Sequence, residues 1–201
     1  MILELSYEAL EFGRQALRAF EAAGGDQLLQ QAEAKPATRE SLVGPVLAEL
    51  GAWDLEPRGD ADSLEAAAAL CRSAGYWAVP YPVAERLARA SADGLVVVAD
   101  NNPSAPIAFV EGTWEAVRLD GTRSTVTGTS QARPGFVAEL ELSALEGSGA
   151  SSVALALILP CWTLLGMMDR ALDLTISHVK LRQQFGQPLS GFQGVQFQLT
   201  D

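Results

Sequence analysis

Residues 164–199 read LLGMMDRALDLTISHVKLRQQFGQPLSGFQGVQFQL, and the centre of this stretch is Arg182-Gln-Gln-Phe-Gly-Gln-Pro-Leu-Ser-Gly-Phe-Gln193. A helix-period run reaches about Gln184 and is stopped by Gly186 and Pro188. The guanidinium of Arg182 stands near that helix end. A planar fork of this kind suits phosphate oxygens. Phe185 offers a face to a flat ring system, and the Gln193 amide both donates and accepts, as reading a ribose or a base edge requires. The same residues also describe a helix-turn-helix corner packed by Phe185 and Phe192, so the spacing alone leaves nucleotide binding and simple packing both open.

Outward from this stretch, the charge is unevenly placed. The chain has 201 residues, 14 basic and 25 acidic, for a net charge of -11. Residues 1–90 hold 8 basic and 14 acidic groups, residues 91–150 hold 3 and 8, and residues 151–201 hold 3 and 3. The last third is therefore where an anionic ligand is expected. The overall acidity argues against a nucleic-acid duplex or an anionic membrane as main partner. Cys71 and Cys161 form no CxxC pattern, which fits a reducing, cytoplasmic setting. A single histidine excludes a multi-histidine metal site on this chain. The N-terminus carries Glu4 and no basic region, unlike a signal peptide. The apolar run Val153–Met168 falls short of the roughly 20 residues of a spanning helix and contains Pro160, so a buried core helix is expected.

The hydrophobic period changes twice. Helical patterns run over Tyr7–Ala23, from Thr38 or Ser41 to Leu50, from Ser63 to Gly75 and from Val83 to Ala90. Strand patterns begin at Gly94 and recur at Ile107–Val110, Trp114–Leu119, Ser124–Thr127 and Gly135–Leu142, punctuated by glycines and prolines. They predict a small antiparallel sheet or barrel. The helical period returns at Ser152, and a last helix is expected within 191–201. The fold class is thus α+β and mainly helical: an N-terminal helical domain over 1–91, a small β domain over 92–149 and the start of a C-terminal helical domain over 150–201.

Familiar catalytic signatures are absent. No G-x-G-x-x-G follows a strand, and no phosphate loop or nucleophile elbow is present. Gly147-Ser-Gly reads as a hinge. His178 reads as an ordinary helix histidine one turn before Arg182. Asp169 and Asp173, beside Arg170, read as a solvated stripe rather than a paired-carboxylate site.

The segment 182–193 resembles the R-x-x-F-G-x-x-[LI]-x-x-[FH]-Q pattern of the acyl-CoA dehydrogenase family, and residues 164–182 resemble that family's first C-terminal-domain helix. Gly75-Tyr-Trp-Ala-Val-Pro-Tyr-Pro82 is similar to a turn that closes its N-terminal helical domain. The order helix, strand, helix agrees with the family's three domains. The resemblance implies an FAD cofactor bound across a subunit interface. Arg182 would pair with its pyrophosphate, with Phe185 near the adenosine half and Gln193 in contact with it. Gln184 would lie among these residues, where a small hydroxyl residue is common. It further implies an oxidoreductase that dehydrogenates an acyl-CoA thioester, with electron-transfer flavoprotein as acceptor and lipid metabolism as setting. The chain departs from the family's middle-domain motifs, having no W-I-[ST] strand and no T-E-x-x-x-G-S-like loop over 94–142. Residues 151–159 hold no Asp or Glu, and no catalytic base is assigned. Two readings follow. One is a dehydrogenase subunit in a homo- or hetero-oligomer, with a weak pointer to the branch acting on bulky steroid-derived thioesters. The other is a non-catalytic subunit that supports a partner chain's flavin.

Overall fold

The computed structural model describes residues 4–200. Five helices come first: α1 (Tyr7–Ala22), α2 (Asp26–Ala34), α3 (Arg39–Glu49), α4 (Ala61–Tyr76) and α5 (Val83–Leu87). Five strands follow: β1 (Gly94–Val97), β2 (Ser104–Ala105), β3 (Trp114–Val117), β4 (Thr122–Arg133) and β5 (Val137–Ser148). The long α6 (Ala150–Leu181) leads into the two-residue strands β6 (Gln183–Gln184) and β7 (Gln187–Pro188) and then α7 (Gln193–Thr200). The α+β, mainly helical class expected from the sequence is the observed one.

Local chemistry sets most of the boundaries. Ser6 caps α1 by accepting from the Ala9 N–H at 3.3 Å, and its own N–H donates to the Glu65 carboxylate at 2.6 Å. Ala9, Gly13, Ala16 and Phe20 form the buried face of α1 at helical spacing. Gly24 and Gly25, at φ 133° and 53°, end it. The cap of α4 is Asp60, whose carboxylate accepts from the Ser63 N–H at 2.7 Å, so the helix begins earlier than the Ser63 cap expected. The helix α2 had no sequence expectation. It is short and buries only Leu28 and Ala32, too few residues to show a period.

The sheet order is β1-β3-β4-β5-β2, with β1 and β3 parallel and the other pairs antiparallel. The purely antiparallel expectation therefore fails at one edge. Residues 107–110 form a turn rather than a strand, with Phe109 at φ 61°, and the edge pairing is made by Ser104–Ala105 instead. One core joins Phe20, Leu47, Leu70 and Leu87 to Leu95, Val117 and Leu159, so helices and sheet edge share it. A second, around Val96, Ile107, Trp114 and Leu140, lies within the sheet.

Helix α4 is rich in alanine because α1 and α6 both pack on it. The contact with α6 is backbone to backbone. A Cβ on Gly75 would lie 1.9 Å from the Thr163 carbonyl oxygen, and one on Gly166 would lie 1.8 Å from that of Arg72. Polar ties flank the crossing. Arg72 Nε meets Asp169 at 2.6 Å, the Tyr76 hydroxyl donates to Asp173 at 2.8 Å, and Arg170, stacked 4.5 Å from the Trp77 ring, reaches Asp26 at 2.7 Å. Asp169 and Asp173 are thus interhelical ties, a correction to the solvated stripe.

By length and composition alone α6 suffices to cross a membrane, with a mean hydropathy of 1.8 over its most apolar window. In the fold it runs along α4. The fully buried helix expected over 153–168 is only partly realised. Ala156, Leu159 and Gly166 are buried, whereas Ile158, Leu164 and Met168 are exposed.

Candidate functional site

Helix α6 ends at Leu181 because the chain turns into a hairpin. The Arg182 N–H still donates to the His178 carbonyl at 2.8 Å, and the Arg182 carbonyl accepts from the Leu189 N–H at 2.8 Å. Gln183 pairs with Pro188 and Gln184 with Gln187, leaving Phe185 and Gly186 as the two-residue turn. Both have positive φ, 51° and 83°, as the twist of such a hairpin requires. Phe185 adopts this conformation without being glycine, a local strain of the kind held at binding sites. It is 94% exposed, and its ring meets Phe192 edge-on at 6.4 Å. That pair pins the hairpin to the start of α7, whose first residue is Gln193.

The structure therefore brings the four expected residues onto one projecting arm. Arg182 precedes β6, Gln184 is its second residue, Phe185 opens the turn and Gln193 opens the next helix. All four are exposed. Among the described residues no carboxylate pairs with Arg182, so its fork is open to a ligand. His178 is exposed on α6, as an ordinary helix histidine would be.

A second feature had no counterpart in the sequence reading. A cavity of about 520 Å³ lies where the turn from Ala78 to α5 meets the middle of α6 and the β4–β5 connection at Gly135-Phe136. Arg39 reaches it from α3 and is 1% exposed. Its guanidinium donates to the carbonyls of Pro80 at 2.7 Å, Pro106 at 3.0 Å and Ala108, and stacks 4.2 Å from the Phe136 ring. Burial lowers its pKa to about 10, so it stays charged at neutral pH and cross-links helices and sheet. Half-buried Glu85 lines the same cavity. Burial raises its pKa, with Arg39 acting in the opposite direction. Burial also drives the Tyr81 hydroxyl up to about 12, and that hydroxyl donates to Glu40 at 2.9 Å. Buried Cys71 is pushed up as well, first by burial and then by Glu85, which leaves it a thiol. The one signal available in the sequence was the Pro80-Tyr-Pro82 break. It marked a turn and could not reveal which distant residues meet there.

The description "Acyl-CoA dehydrogenase, C-terminal domain" matches residues 156–201. The probable acyl-CoA dehydrogenase YngJ of Bacillus subtilis (strain 168) is 42% identical over 60 residues, 30% of this chain and 14% of that protein. The 3-sulfinopropanoyl-CoA desulfinase of Paraburkholderia xenovorans (strain LB400) is 30% identical over 118 residues, 54% of this chain and 28% of that protein. The matches thus span under a third of the length of either relative. In structure, the steroid ACAD variant Tcur3481-Tcur3483 superposes with a TM-score of 0.72 at 21% identity, over 96% of this chain and 72% of the other. The ChsE4-ChsE5 complex from Mycobacterium tuberculosis gives 0.67 at 16% identity, over 100% and 74%. Residues 156–201 thus match the acyl-CoA dehydrogenase C-terminal domain in sequence, and the whole chain shares the fold of these two steroid-ACAD-type structures.

Proposed function

We propose that this chain is a subunit of an FAD-dependent acyl-CoA dehydrogenase and lends its 182–193 arm to a flavin shared with a neighbouring chain. The exposed hairpin, with an unpaired guanidinium beside an exposed aromatic turn, is the observation that carries this reading. These residues fit a dinucleotide. Arg182 would hold the pyrophosphate bidentately, Phe185 would cover the adenosine half, and Gln193, with Gln184 nearby, would supply amide contacts. FAD, when bound, supplies a hydride acceptor for the β-carbon of an acyl-CoA thioester. The chain's own task is to orient the cofactor and to shelter the acyl portion in the cavity between α5, α6 and the β4–β5 connection. Electron-transfer flavoprotein is the proposed acceptor, and the cytoplasm the proposed setting. The three portions 1–91, 92–149 and 150–201 are the proposed domains.

Residues 151–159 of α6 carry no carboxylate, which favours a second reading: a supporting subunit whose partner performs the proton abstraction. Either way Arg182 contributes to flavin retention. In the assembled protein, Arg182→Ala is expected to weaken FAD binding about tenfold to a hundredfold, the loss of a charged hydrogen bond worth about 1.5–3 kcal/mol. Arg182→Lys restores it only in part. Flavin absorbance after dialysis measures this, and unchanged flavin content in the alanine variant refutes the shared site. Bleaching of the flavin bands by acyl-CoA then shows that the assembly is a dehydrogenase.

A further inference from the structure

We infer that Glu85 makes the cavity selective for an acyl ligand carrying a hydroxyl group on its far, apolar portion, in preference to a plain hydrocarbon chain. The inference rests on the acyl-thioester reading above and adds a specificity-determining residue to it. The wall is largely apolar, formed by Val79, Val83, Phe136, Pro160, Leu164 and Met167. Two carboxyls line it. Glu33 stands at the exposed rim, and Glu85 is half-buried within. Apart from the Glu85 backbone N–H itself, no donor among the described residues reaches the Glu85 carboxyl. Arg39 makes no hydrogen bond to it, since its three nitrogens donate to backbone carbonyls and its face covers Phe136, so it acts on Glu85 only through its charge.

A carboxyl held among apolar groups without a donor is driven toward its neutral form. The neutral group presents one O–H donor and a carbonyl acceptor. A ligand hydroxyl donates to the ionised carboxylate or accepts from the neutral group, so it satisfies Glu85 in either form. A hydrocarbon chain displaces water and leaves the carboxyl unpaired, which is the arrangement that makes hydrogen-bonding sites discriminate.

Calorimetric titration of the assembled protein tests this with paired probes: ω-hydroxyacyl-CoA and the matching acyl-CoA over a series of medium and long chains. At its best chain length the wild type is expected to bind the hydroxylated thioester at least about tenfold more tightly. Glu85→Leu is expected to abolish or reverse that ratio while still binding the plain thioester. Glu85→Gln, which keeps a donor and an acceptor, is expected to retain it. Equal affinities at every length in the wild type, or an unchanged ratio in Glu85→Leu, overturn the inference and leave the acyl-thioester reading standing. If neither probe binds at any length, that reading fails and the inference falls with it. The wild-type ratio decides the matter even if the leucine variant does not fold.

Discussion

Glu85 and Arg39 show how two charged residues share one cavity without forming an ion pair. Arg39 is anchored by three carbonyls from two separate segments, so its burial is compensated by charge-assisted hydrogen bonds rather than by a counter-ion. Glu85 has only its own backbone N–H and the Arg39 charge to offset burial, and burial prevails, lifting its pKa above the ordinary 4.5. Between that value and its pKa in the fold, the folded chain holds a proton that the unfolded chain has released. Stability contributed by Glu85 is therefore fully present below about pH 4.5 and declines as pH rises through the folded value. Glu85→Gln cannot titrate and is expected to flatten that part of the profile. Urea midpoints of both proteins across the acid range measure it, and parallel profiles would show that the carboxyl titrates as if in water.

At the level of elements, the crossing of α4 on α6 depends on two glycines that face the opposing backbone. In Gly166→Ala the new methyl group meets the Arg72 carbonyl, and a rigid main-chain atom cannot swing aside as a side chain would. The helices must separate, at a cost of about 1–3 kcal/mol or more. A fall of several degrees in melting temperature is expected by calorimetry. Thr163, Leu164 and Met167 would move with α6, so the cavity wall shifts as well. The neighbouring Arg72–Asp169 pair is partly exposed and contributes little to stability, about 0–1 kcal/mol. A melting temperature unchanged in Gly166→Ala would mean that the crossing has slack its geometry does not show.

The whole molecule presents an apolar flank. Ile158, Leu164, Met168, Leu172 and Leu174 on α6 are exposed, with Phe185 and Phe197 beyond it. Exposed apolar side chains in this number mark an association surface, and a flavin held by the arm as proposed would need further protein on its other side. The chain is therefore expected to self-associate or to require a partner at micromolar concentration. Light scattering checks this, and a stable monomer would remove the physical basis for a flavin shared between chains.

The sequence by itself determined the succession of elements and the identity of the arm. Period 3.6 gives way to period 2 at Gly94 and returns near Ser152, and both signals are local, resting on residues a few positions apart. The placing of Arg182, Phe185 and Gln193 on one arm was legible for the same reason, since they lie within twelve residues, while their roles are those the family resemblance implies. The tertiary structure alone decided the parallel pairing of β1 with β3, the place of Asp169 and Asp173 as ties to α4, and the cavity. Arg39, Glu85, Phe136 and Leu164 are far apart in the chain, and nothing in their neighbourhoods marks them as companions. Burial and pairing are properties of what the rest of the fold brings alongside, so an aspartate that reads as solvated becomes a strut, and a glutamate with no signal in the sequence comes to line an apolar chamber.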